Sequence, residues 1–78
     1  MRTCEVVVWK KGNRHSYGKR HSYGCETIEG CKDLFEEFCE NYRLENQDMY
    51  LADFNKYFPF GILTSSRDGY ITVYAGRV

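Results

Sequence analysis

Long apolar runs are missing from this sequence: the longest near its start, Val6–Trp9, is four residues. That is too short for a signal-peptide core or a membrane span, so the expected compartment is the cytoplasm and no membrane partner is expected. Net charge is also missing, with 11 basic and 11 acidic residues and a pI near 6.7, which argues against a protein that coats nucleic acid by bulk charge. Cysteine is sparse for a disulfide-built miniprotein, and Cys4, Cys25, Cys31 and Cys39 are expected as reduced thiols. The motifs that announce a reaction are absent: no phosphate loop, no nucleophile elbow and no H-E-x-x-H pair occurs. The sheet motif of RNA-recognition domains is absent as well.

What the chain does have is aromatic surface, at 17% of residues, which lets a short chain bury much area per side chain. Its 78 residues suffice for one modest core and not for two, so residues 1–78 are expected to form a single α+β domain.

The zero mean charge hides a strong polarity. Between Lys10 and Gly24 stand Lys10, Lys11, Arg14, Lys19 and Arg20 with no acid, a local charge of +5. Between Cys25 and Phe54, nine acids face two bases, Lys32 and Arg43, a local charge of −7.

Periodicity gives the elements. Cys4 to Lys10 alternates Cys4, Val6 and Val8 against Glu5, Val7 and Trp9, the pattern of a strand. A near-tandem echo follows, Arg14-His15-Ser16-Tyr17-Gly18 and then Arg20-His21-Ser22-Tyr23-Gly24. It is too short for a solenoid unit and is expected as a lengthened hairpin loop whose second copy enters strand two. From Ile28 the period becomes helical: Ile28, Cys31, Leu34, Phe35, Phe38, Cys39 and Tyr42 form a stripe, with Thr27 as N-cap and an end near Arg43 to Asn46. Asp48 to Phe58 is expected as a short second helix closed by Pro59 and Gly61. Ile62–Ser66 and Tyr70–Ala75 then read as a hairpin turned at Gly69. The expected fold is β-β-α-β-β, with the helix on one face of a mainly antiparallel sheet.

Three surfaces follow as candidates. Asp33, Glu36, Glu37 and Glu40 crowd the outer face of the helix, where like charges at i and i+4 repel. A solvated helix face is commonly charged, but this excess is uncompensated within the helix. The second candidate is the loop set Lys10, Lys11, Arg14, Tyr17, Lys19, Arg20 and Tyr23, whose cations suit phosphates and whose rings suit bases. A solvated hairpin tip explains the same residues. The third is an aromatic sheet face carrying Trp9, Tyr70 and Tyr74, which leaves room for a homodimer.

His15, His21, Cys25 and Cys31 are zinc-capable, but gaps of five, three and five residues do not make the close pairs of a structural site, so no metal and no cofactor is expected. His15 and His21 with Lys19 and Tyr17 are the side chains of a metal-independent ribonuclease, yet no carboxylate nearby in sequence orients either imidazole, and catalytic residues are not expected.

In size, in one helix set on a small sheet, and in charge polarity, the chain resembles the small phage-encoded proteins that block host defence or transcription machinery, anti-CRISPR inhibitors among them. The resemblance is architectural and rests on no diagnostic residue. It implies a non-enzymatic inhibitor or adaptor that occupies a basic surface on a larger protein or ribonucleoprotein. A nucleic-acid-binding module is the second expectation and a small ribonuclease the third.

Overall fold

The alternating residues Cys4–Lys10 form β1, an inner strand of the computed structural model, which describes residues 2–12 and 18–78. β1 pairs on one side with β2 (Lys19–Cys25) and on the other with β4 (Ile71–Arg77), and β4 pairs in turn with β3 (Ile62–Ser65). The result is a four-stranded antiparallel sheet in the order β2-β1-β4-β3. The β-β-α-β-β arrangement expected from the sequence is the fold. The strand order was not legible, because it depends on which hairpin edges meet: here the first strand of one hairpin joins the last strand of the other.

Helix α1 (Ile28–Tyr42) crosses one face of this sheet. Thr27 caps it as expected, its hydroxyl accepting the Gly30 N–H at 3.0 Å. Arg43 ends it in the left-handed region (φ 51°), donating its N–H to the Cys39 carbonyl. Cys31, Phe35 and Cys39 are fully buried, while Leu34, Phe38 and Tyr42 border the core. Ile28 departs from the expected stripe: it stands 40% exposed in the first turn of the helix.

The segment after α1 contains two short helices rather than one, α2 (Gln47–Ala52) and α3 (Phe54–Tyr57), followed by a 3-10 turn at Phe58–Phe60. The break is at Asp53, whose backbone (φ −124°, ψ 42°) leaves the helical region. Beyond it, Phe54 and Phe58 both enter the core, 5.2 Å apart and with Phe54 5.8 Å from Phe35. These three rings, with Val6, Ile62 and Val73 from the sheet, are the large fully buried side chains.

The β3–β4 turn contains Gly69 at φ 74°, the positive value anticipated there. Asp68 ties the turn, accepting from the Ser66 hydroxyl at 2.6 Å and the Tyr70 N–H at 3.0 Å. Those bonds hold its carboxyl below the usual range, the Ser66 bond contributing most. β4 runs to Arg77, two residues past the expected end, because β1 continues to pair with it as far as Cys4.

Candidate binding surfaces

Three surfaces carry the candidate functional residues. The first is the outer face of α1, where Asp33, Glu36, Glu37 and Glu40 are all exposed. Residues four apart on a helix are separated by about 6 Å along its axis, so the four carboxylates form two short parallel rows. None of them makes an ion pair among the described residues. Their field reaches inward: burial pushes the Cys39 thiol up to about 12, and the charges of Glu36 and Glu40 add to the shift.

The second surface is the sheet face turned away from α1. Register fixes its composition. Trp9 on β1 opposes Arg20 on β2 and Thr72 on β4; one step along, Val7 opposes Ser22 and Tyr74, and Tyr74 opposes Leu63 on β3. These residues enclose a groove of about 440 Å³ lined by Glu5, Val7, Trp9, Arg20, Leu63, Thr72 and Tyr74. Val7 is buried, while Trp9 and Leu63 are 48% and 62% exposed. Of the aromatic residues expected on one face, Trp9 and Tyr74 line this groove, while Tyr70 stands just before β4, its carbonyl accepting the Lys11 N–H at 2.8 Å. Two members were not anticipated, Leu63 and Arg20. Leu63 needed the β3–β4 register, and Arg20 needed β2 to be read as a strand with alternating sides.

That alternation divides the basic set. Lys19 and Tyr23 point to the helix side of β2, Arg20 to the open side. Lys10 opposes Lys19 directly and, with Val8, His21, Tyr23 and Tyr42, lines a cleft of about 250 Å³, the third surface. The Lys10 ammonium lies 5.6 Å from the centre of the Tyr42 ring. Tyr23 and Phe38 are 5.3 Å apart and Phe38 and Tyr42 6.1 Å, so an aromatic ladder joins β2 to the helix. Arg14, Tyr17 and His15 lie outside the described residues, so the structure places only part of the loop set. His21 is exposed, 5.9 Å from Tyr23, and among the described residues no carboxylate lines its cleft.

The thiols have a separate setting. Cys4 faces Cys25 across β1 and β2, and the Cys4 S–H points to the Thr27 carbonyl at 3.3 Å. Burial pushes the Cys31 thiol up to about 12, with the neighbouring Cys4 and Cys25 adding to the shift. All four cysteines are free, and among the described residues no group of three or more His, Cys, Asp or Glu side chains is placed to hold a metal ion. No helix among them is long and apolar enough to cross a membrane.

No family model, no curated protein and no solved structure matches this chain, so the three surfaces are what its function has to be read from.

Proposed function

We propose that this protein is a non-enzymatic, macromolecule-binding protein that uses the acidic face of α1 to occupy a basic surface on a larger protein or ribonucleoprotein. The observation that carries the reading is the set of exposed carboxylates at Asp33, Glu36, Glu37 and Glu40, unpaired among the described residues and spaced to repel at i and i+4. A partner that brings cations to this face relieves that repulsion on binding, so the acids weaken the free protein slightly and strengthen the complex. Inhibition of the partner by blocking its basic site, or adaptor function, follows from such occupancy.

The test is affinity capture with the wild type and with two charge-reversed pairs, Asp33→Lys with Glu37→Lys and Glu36→Lys with Glu40→Lys. A bound protein lost with both pairs, and weakened as salt rises from low to physiological strength, supports the reading. A partner held equally by wild type and reversed variants overturns it.

A further inference from the structure

We infer that the open sheet face binds single-stranded nucleic acid, a function independent of the acidic helix on the opposite layer. The face combines the two features such ligands require, flat aromatic surface and exposed cations. Trp9 stands half exposed at one end of the groove. Tyr74 lies across the other end: a side chain begun at Gly76 would collide with its hydroxyl oxygen, and one begun at Gly61 would meet its ring at 2.9 Å. Glycine at both positions lets the phenol rest on the backbone. Tyr70, 52% exposed, continues the aromatic surface past Trp9.

Cations border these rings. Arg20 lies directly opposite Trp9 and lines the groove. Lys11, exposed, follows β1 two residues after Trp9 and donates its N–H to the Tyr70 carbonyl. Arg2 lies over Gly24, opposite Glu5. Glu5 is the acid of the groove, and it accepts the Ser22 hydroxyl at 2.8 Å. Phosphates therefore meet Arg20, Lys11 and Arg2 while bases stack on Trp9 and Tyr74, with the Thr72 and Ser65 hydroxyls available along the row.

A second copy of the chain is a poorer occupant. Three strands about 23 Å long and a fourth of about 13 Å, spaced about 4.8 Å apart, present roughly 400 Å², about half of what each partner buries in a stable interface. Face-to-face pairing would also bring the arginines and lysine of both copies together.

The chain has one tryptophan, so its fluorescence reports on this face alone. Unlabelled eight-nucleotide oligouridine and oligothymidine are titrated into the protein at 50 and 200 mM salt. Saturable quenching of Trp9 is expected, with affinity falling about 20-fold between the two salts for three phosphate contacts on a single strand. Arg20→Gln with Lys11→Gln should cut the salt slope by about two-thirds, and Tyr74→Leu should lower affinity roughly tenfold. Each variant is checked for an unchanged circular dichroism spectrum. Absence of quenching at 50 mM salt overturns the inference. So does binding that survives Arg20→Gln with Lys11→Gln but is lost in Lys10→Gln with Lys19→Gln, which would put the polymer in the helix-side cleft. Sedimentation showing a dimer that shields Trp9 also overturns it.

Discussion

The Tyr74 ring occupies the space in which a Gly76 side chain would stand, its hydroxyl oxygen overlapping the position of a Cβ there. The two residues are neighbours on one side of β4, and each conditions the other: the ring can lie along the strand because position 76 has no side chain. Gly61 completes the berth, at φ 83°.

Substitution at either glycine should therefore displace the Tyr74 ring, with backbone strain added at Gly61. Gly61→Ala forces an L side chain into the left-handed region and should cost about 1–2 kcal/mol in denaturant unfolding. Gly76→Ala meets the mobile end of a side chain, so its stability loss should be smaller. Its signature is loss of the nuclear Overhauser contacts between the Tyr74 ring and Gly61.

Phe54→Ala should destabilise by about 3–5 kcal/mol, since it removes a ring that contacts both Phe35 and Phe58 in the core. Phe60, two residues beyond Phe58 but 89% exposed, supplies the contrast. Phe60→Ala should change stability by no more than about 0.5 kcal/mol. Urea unfolding of the two variants checks both values.

Neutralising the helix acids should stabilise the isolated protein. Glu36→Gln and Glu37→Gln each relieve an i, i+4 repulsion and should add about 0.2–0.5 kcal/mol. In 1 M salt, where the screening length is about 3 Å, the gain should disappear. A variant that is more stable alone yet weaker toward a partner would show the cost and the use of the same charges.

The buried thiols predict alkaline weakening. Cys31 and Cys39 stay protonated in the folded protein up to about 12, against an ordinary value of 9.0, so the unfolded chain releases these protons first. Their contribution is complete below about pH 9 and is lost as pH rises through about 12. Cys39→Ala should accordingly reduce the fall in stability between pH 9 and 11, measured by denaturant unfolding at fixed ionic strength. At neutral pH, alkylation with iodoacetamide should reach the partly exposed Cys25 first, with Cys4, Cys31 and Cys39 modified only on unfolding.

Much of this fold was legible because its signals are local. The stripe from Cys31 to Tyr42 and the Thr27 cap define α1 without reference to the rest of the chain. Gly69 defines the C-terminal turn in the same way. The break at Asp53 was not legible, since Tyr50, Leu51, Phe54, Tyr57 and Phe58 fit a single helical period; what divides them is the burial of Phe54 and Phe58 beside Phe35, a tertiary effect.

The binding surfaces were legible in part for a related reason. Alternation placed Trp9, Tyr70 and Tyr74 on one side, but grouping Lys19 with Arg20 treated a strand as a loop. One residue of offset sends them to opposite faces. Leu63 entered the groove only through pairing with Tyr74, a relation between two strands that neither strand contains alone.

The stretch between α1 and α2 has an effect on how the molecule behaves in a crowd. Glu45 donates its N–H to the Ser65 carbonyl at 2.7 Å, its own carbonyl accepts the Thr64 hydroxyl, and its carboxylate meets Arg67 at 3.2 Å. The Ser65 end of the outer border of β3 is therefore capped by the protein's own chain. A copy approaching that end finds the Ser65 carbonyl already bonded, and one approaching β2 at the opposite border meets Lys19 and Arg20, the kind of edge charge that disfavours strand-to-strand addition.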